Sequence, residues 1–535
     1  MMKKAIKKLL AALLAVAMVC AMAIPAFAFE SWETEEDLNK NHDYIAFQIF
    51  KGVISKDNPT LSGVDWGQHI IDHDDFLEEL RKADRIGPLF ANAKSVPDVL
   101  AVISTWDDSD DDSIAFARFV CHYLYSKGDP KSSIVGGGGA IKIPEPGYYL
   151  IVDNIDFSNG DSYHAYNSFL LVNDTNQGEF NVIINHKVVK PTVEKKVYDN
   201  PDGTSTGGFG FSADHAINEK FQFQLIAKLP AGRDEGRAYD YYDKYTVCFN
   251  DTLSEGITYD GLDSVVIESN GIPYDITNDS SKYDIDTTDL ESQNSFVVKI
   301  HDVKTCAEGL DLNDGATITV TYTAHLNDKA YVNTGSSSTE NKNSVQLQYS
   351  NNPRPGEYWG TTPKSEVYVY TYQLNNTKHA EKEDGTPLPG AVFQLYSDKD
   401  CTQEVKLYKV GNIYFPIKDA TDKEKDAVQM ISGQDGQFNV KGLDAGTYYL
   451  KEITPPDGYS ACKVIPVTIK ADHSRNDQVN LEGSNLTNDI VNIKAGGITL
   501  PSTGGIGTTL FYVVGGGLMV AAIVLLVTKK RMENK

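Results

Sequence analysis

The sequence is short of cysteine, with six in 535 residues. One, Cys20, sits in an apolar leader, which leaves Cys121, Cys248, Cys306, Cys401 and Cys462 for the rest of the chain. An odd number so widely spaced excludes a dense disulfide framework. Cys401 with Cys462, or Cys248 with Cys306, can pair, and buried thiols are the alternative. Positive charge is also scarce: 49 basic against 74 acidic residues give a formal net charge of −25. Four of the bases lie in the leader and four in the C-terminal tail, so the stretch between is more acidic still. A field of that sign repels nucleic acid and anionic membrane surfaces. Long hydrophobic runs are missing except at the two ends.

Those ends carry addresses. Residues 1–28 open with Lys3, Lys4, Lys7 and Lys8, continue as an apolar run from Leu9 to Ile24, and close on Ala26-Phe27-Ala28. That is the layout of a cleaved signal peptide, with Phe29 as the expected mature start. At the other end, Leu500-Pro501-Ser502-Thr503-Gly504 precedes an apolar stretch from Thr508 to Val527 and the basic residues Lys529, Lys530 and Arg531. About 20 apolar residues suffice to span a bilayer, and the basic cluster holds its end in the cytoplasm.

The remaining length suggests three domains. The first, over 29–186, mixes strands with helices: Tyr44–Phe50, Gly147–Val152 and Phe169–Val172 read as strands. Ala117, Val120, Cys121 and Leu124 mark one helical face, and Gly136–Gly139 reads as a flexible loop. From Pro191 onward the pattern is β. Phe221–Leu225, Thr317–Tyr322 and Ser344–Tyr349 alternate or are β-branched between Gly, Asn, Asp and Pro clusters, the pattern of β-sandwiches. A boundary is expected near Asn351–Gly356. The expected organisation is a linker at 187–191, a middle sandwich at 192–366, a C-terminal sandwich at 367–495 and a sorting segment at 496–535. The fold class is therefore mainly β: an α+β domain followed by two Ig-like sandwiches.

Leu500-Pro501-Ser502-Thr503-Gly504, with its apolar stretch and basic tail, resembles the LPxTG sorting signal of sortase substrates. The resemblance implies cleavage between Thr503 and Gly504 through an acyl-enzyme that an amine resolves. Two further segments, Lys382–Tyr396 (KEDGTPLPGAVFQLY) and Gly442–Tyr459 (GLDAGTYYLKEITPPDGY), resemble the opening and the E-box region of Cna-B-type domains. Many of those domains carry a lysine–asparagine isopeptide bond promoted by a buried acid. The resemblance implies Glu452 as the acid and Asn492, in Ile490-Val491-Asn492-Ile493-Lys494, as the acceptor. Lys378, on the face of Tyr372 and Leu374, is the lysine, with Lys382 as the alternative.

The chemistry needs these residue types. An amine attacks only when neutral, and burial lowers its pKa; burial raises that of a carboxylic acid, which then donates a hydrogen bond to the amide oxygen. The middle domain offers a parallel set. In Pro191-Thr192-Val193-Glu194-Lys195-Lys196-Val197, strand alternation puts Lys195 on the face of Val193 and Val197, with Lys196 toward solvent. Asp251, in Asn250–Ile257, resembles the acid of pilin domains, and Asn343 is the acceptor, with Asn341 as the alternative. Lys187, in Val182-Ile183-Ile184-Asn185-His186-Lys187, occupies the place of the polymerisation lysine of backbone pilins, with Lys190 as the rival. Asn185-His186 stands where that motif has Tyr-Pro.

Two metal patterns are set aside. His69-Ile70-Ile71-Asp72-His73 has Asp in place of the Glu of the inverted zinc motif, and Asp108, Asp110 and Asp112 lack the Gly and Glu of a calcium loop. No metal and no cofactor are expected. The chain resembles the major pilins of Gram-positive sortase-assembled pili, which implies an exported, wall-anchored, self-polymerising structural protein. Its chemistry would be single-turnover rather than enzymatic. The implied partners are pilin-specific and housekeeping sortases, copies of itself, minor pilins and peptidoglycan, with membrane contact only before sorting and no nucleic acid. A monomeric or accessory wall-anchored adhesin is the alternative, and a wall-anchored hydrolase ranks last.

Overall fold

The computed structural model describes residues 43–496 apart from 56–57, 107–109, 128–134, 138–139, 144, 154–167, 172–179, 184–189, 202–206, 234–236, 334–340, 354–358 and 476–477. The chain is mainly β, in three successive parts with separate cores. The leader and the sorting segment lie outside the described residues.

In the first part the strands Asp43–Ser55 and Asn58–Trp66 form a hairpin, and Gly147–Asp153 and Ser168–Leu171 extend its sheet. Helices α1 (His73–Lys82), α2 (Val96–Ile103) and α3 (Asp111–Ser126) pack on the sheet through Phe76, Leu80, Val99, Val120, Cys121 and Leu124. Asp72 caps α1 by accepting from the Asp75 N–H at 3.1 Å. Gly136 and Gly137, expected in a loop, belong instead to a short strand, Val135–Gly137, paired with Asp43–Ile45. Cross-strand hydrogen bonds there override the glycines' weak strand propensity.

The middle part is a sandwich of a six-stranded and a seven-stranded sheet. Alternation drives it: along Lys220–Leu229 the side chains of Phe221, Phe223, Leu225, Ala227 and Leu229 are buried between more exposed neighbours. The boundary expected at 366/367 cuts through the strand Ser365–Tyr370. That strand pairs with Lys342–Ser350 and runs parallel to Ser212–Asp214, so the middle sheet extends to Tyr370. Asn351–Pro353, at the start of the expected boundary, still belong to this part, because the chain returns to the same sheet after them. The C-terminal part begins with Tyr372–Ala380, which lies parallel to the last strand, Thr487–Asn492.

The three parts are docked. Tyr241, from the middle part, is buried in the core of the first. Arg85 and Arg237 pair with Asp111 in the first turn of α3, and Arg118 and His122 reach Asp243. At the second joint, Tyr408, Phe415 and Ile417 of the C-terminal part complete the middle core. The Ile217 N–H donates to Gly442 O at 2.9 Å. Gly442 has φ +89°, and a Cβ there would stand 2.5 Å from Ile217 Cδ1. Gly442→Ala is therefore expected to loosen this joint, at a cost of about 1–3 kcal/mol. Faster amide exchange at Ile217, with the strand amides of both sandwiches unchanged, is the predicted readout; unaltered exchange at Ile217 contradicts it.

Candidate functional site

Two lysines lie wholly inside the sandwiches. Lys195 and Lys378 are both 0% exposed, a rare state for an amine. Each reaches its place by strand parity. Lys195 pairs with Leu225 in the register of Thr192–Asp199 against Lys220–Leu229, and its side chain enters the core beside Val197. Along Tyr372–Ala380 the inward residues are Tyr372, Leu374, Asn376 and Lys378. Lys196 alternates outward, over the Phe211 ring.

Around Lys195 the structure gathers Asp251, Asn343 and Tyr322. Asp251 and Asn343 come from adjacent strands of the opposite sheet, Val247–Leu253 and Lys342–Ser350, in a register that pairs Asp251 with Val345 and Leu253 with Asn343. Lys195 Nζ contacts Asp251 Oδ2 and donates to the Tyr322 hydroxyl at 3.1 Å. Tyr322 donates to Asp251 Oδ1 at 3.3 Å, and Asn343 Nδ2 donates to Tyr322 at 2.6 Å. Asn343 Oδ1 is buried without a hydrogen-bond partner among the described residues. An orphaned carbonyl oxygen costs on the order of 1–3 kcal/mol, and it marks where a donating acid would be welcome. The strand carrying Asn343 is not the last of its domain, since Ser365–Tyr370 follows it in the same sheet.

Burial pushes the Lys195 amine down to about 8, against the Asp251 charge, which acts to raise it. The same burial pushes the Asp251 carboxyl up, with Lys195 and Tyr322 opposing. Both shifts favour the neutral pair. Tyr322 was not singled out from the sequence, although it shares the inward face of Ile318 and Val320.

The second cluster is built differently. Lys378 and Asn492 lie on neighbouring parallel strands of one sheet, registered as Lys378 with Ile490 and Ala380 with Asn492. Glu452 comes from the facing sheet, where it pairs with Phe393. Lys378 Nζ donates to Asn492 Oδ1 at 2.6 Å and lies 3.7 Å from Glu452 Oε1. Asn492 Nδ2 donates to Glu452 Oε1 at 2.7 Å, and the Cys462 N–H donates to Glu452 Oε2, also at 2.7 Å. Burial lowers the Lys378 pKa, with Cys462 and Glu452 opposing. The Cys462 contact was not anticipated; no sequence pattern points to it.

The alternatives are placed elsewhere. Lys382 is exposed and pairs with Asp384 at 3.0 Å. Asn341 spends both polar atoms on the Tyr331 backbone. Lys190 is exposed just before Thr192–Asp199. Lys187 and Leu500, Pro501, Ser502, Thr503 and Gly504 lie outside the described residues. All five mature cysteines stand as thiols, so neither expected pairing forms.

The discarded metal patterns have structural duties. His69 Nδ1 accepts from the Gln48 N–H at 2.7 Å, His73 stacks on Trp66, and Asp72 caps α1. Asp112 pairs with Arg85 at 3.0 Å and Asp110 stands at the N-cap position of α3, while Asp108 is outside the described residues.

Asn343→Ala removes the amide and leaves Lys195 buried as an amine. The unfolded chain keeps the lysine proton up to its ordinary 10.5, whereas the folded chain releases it near 8. Unfolding then takes up a proton in that window, so stability rises with pH across it. The raised Asp251 acts with the opposite sign, losing its contribution as pH rises through its folded value. The urea midpoint of Asn343→Ala is expected to correspond to roughly 1–2 kcal/mol more stability at about pH 9.5 than at about pH 7.5. The rise should vanish when Lys195→Met is added; a flat profile in the single variant contradicts the buried amine.

Comparison with known proteins adds the context. Residues 373–484 match the SpaA prealbumin-like fold domain family, and residues 492–534 match the LPXTG cell wall anchor motif. A curated relative, the trypsin-resistant surface T6 protein of Streptococcus pyogenes, is 25% identical over 286 residues, covering 50% of this chain and 44% of that protein. The chain thus spans under half the length of that relative. Among solved structures, the T6 backbone pilin of serotype M6 Streptococcus pyogenes is 16% identical with a TM-score of 0.47, covering 86% of this chain and 97% of that one. A 35 kDa C-terminal fragment of the major pilin GBS80 of Streptococcus agalactiae is 22% identical with a TM-score of 0.38, covering 57% and 99%. With a SpaA-type domain followed directly by an LPXTG anchor, the chain is an exported surface protein anchored to the cell wall.

Proposed function

We propose that the chain is the backbone subunit of a covalently polymerised pilus, strengthened by two internal isopeptide bonds, Lys195–Asn343 and Lys378–Asn492. The observation that carries this reading is the pair of buried lysine–acid–asparagine clusters in successive sandwiches ahead of a wall anchor.

In each cluster the neutral lysine Nζ attacks the asparagine Cγ. The acid, Asp251 or Glu452, takes the proton from the attacking amine and delivers it to the leaving nitrogen, which in the second cluster already lies 2.7 Å from Glu452 Oε1. A Cγ–Nζ bond forms, the Cγ–Nδ2 bond breaks, and ammonia departs. No oxidant or cofactor takes part, and the dry core supplies proximity and lowers the pKa of both lysines. Each bond closes a loop of more than a hundred residues, and by the loop argument used for disulfides each is worth about 4–5 kcal/mol.

Between subunits, a sortase would cleave Thr503–Gly504 and pass the acyl group to Lys187 of the next copy, with Lys190 as the rival acceptor. The final copy would pass to peptidoglycan. A monomeric or accessory adhesin would share the anchor and the clusters without using either linker lysine. Cell-wall extracts boiled in detergent distinguish them: a high-mass ladder is expected from the native chain, collapsing to monomer with Lys187→Ala. A ladder that survives Lys187→Ala but is lost with Lys190→Ala moves the junction to Lys190. A single monomer band from the native chain contradicts the polymer.

A further inference from the structure

The joint between the middle and C-terminal sandwiches concentrates acid where no bond of the proposed kind forms. Asp199 ends the strand Thr192–Asp199, Asp214 ends Ser212–Asp214, and both are almost fully buried, at 4% and 1% exposure. From the C-terminal part, His473 in Asp472–Arg475 enters the same space. One ligand atom from each of the three lies within 4.8 Å of the other two.

Neighbouring contacts fix all three. Tyr372 donates to Asp214 Oδ2 at 2.8 Å, and the Asp214 N–H donates to Asp199 Oδ1 at 3.1 Å. Ser212 sets the state of the histidine. Its hydroxyl has one proton, which it gives to the His473 carbonyl at 2.8 Å. The 2.9 Å contact between Ser212 Oγ and His473 Nδ1 must therefore have Nδ1 as the donor. In the neutral ring that leaves Nε2 as a lone pair, 3.8 Å from Asp199 Oδ2. The distance is too long for a hydrogen bond, and a lone pair facing a carboxylate is repulsive unless positive charge lies between them.

Among the described side chains, little of that charge is supplied nearby. Lys418, the nearby base, is engaged by Glu219 at 3.5 Å. An imidazole whose other nitrogen is tied to a hydroxyl, set against two oriented carboxylates, has the donor set and outer contacts of a metal ligand cluster.

We propose that Asp199, Asp214 and His473 bind a divalent first-row transition cation of the zinc class, bridging the two sandwiches. Imidazole with two carboxylates favours such an ion over calcium, which takes oxygen ligands. The cation would hold the His473 hairpin against the middle part, a clamp formed after folding and independent of polymerisation and of the isopeptide bonds.

The test uses the processed chain, residues 29–503, stripped with EDTA and titrated with Zn2+, with bound metal counted by elemental analysis. One tightly held Zn2+ per chain is expected. Asp199→Asn and His473→Ala should each weaken it at least 100-fold, and Ser212→Ala, which keeps every ligand, about 10-fold. Co2+ should give visible absorption bands that both ligand variants lose. Circular dichroism of each variant checks that it is folded. No binding by the native chain, or equal affinity in folded native and variant chains, overturns the site; the latter would mean that surface carboxylates hold the metal and that His473 is a protonated partner of Asp199.

Discussion

A lysine amine in a dry protein core is an unstable arrangement unless something neutralises it, and the two sandwiches depend on how that is done. Lys195 and Lys378 have no exposure at all, and burial lowers the pKa of each. Leaving a charged amine there would cost several kcal/mol. Releasing the proton makes a nucleophile, and an amide waits beside it. In this reading the instability of the folded but unreacted core drives the bond, and the product amide needs no counter-charge.

The two clusters solve the same problem with different geometry. In the C-terminal sandwich the amine and amide sit on adjacent parallel strands, and the acid is presented by the facing sheet. In the middle sandwich the amine faces both acid and amide across the sandwich, with Tyr322 bridging all three. A bond of the first kind fastens two neighbouring strands of one sheet, and a bond of the second kind fastens one sheet to the other. Together with Tyr241 and its ion pairs at one joint, and Ile217 against Gly442 at the other, the described parts form a continuous load path.

Much of this was legible in the sequence for simple reasons. Period-two alternation around Lys195 and Lys378 is a strong signal, because a one-residue shift would turn either lysine to solvent. The Cna-B-like segment Gly442–Tyr459 carried Glu452 with it, and the same resemblance pointed to Asn492 in Ile490–Lys494. Tyr322 was missed because an inward tyrosine is usually packing, and only tertiary contact shows its hydroxyl between three polar groups. A proline-rich run such as Asn351–Gly356 resembles a linker in sequence, and only tertiary pairing shows that Ser365–Tyr370 after it joins the middle sheet. The Asp199–Asp214–His473 cluster was illegible, since its members are spread over more than 250 residues and meet only when two domains dock.

The claim on which the rest depends is that both clusters react. The intact mass of the processed chain, made in a host without sortase and unfolded before injection, measures this directly. A mass lower than the sequence value by two ammonia molecules is expected, with one restored by Asn343→Ala and the other by Asn492→Ala. A mass equal to the sequence value would contradict it, leaving two buried lysines held only by hydrogen bonds.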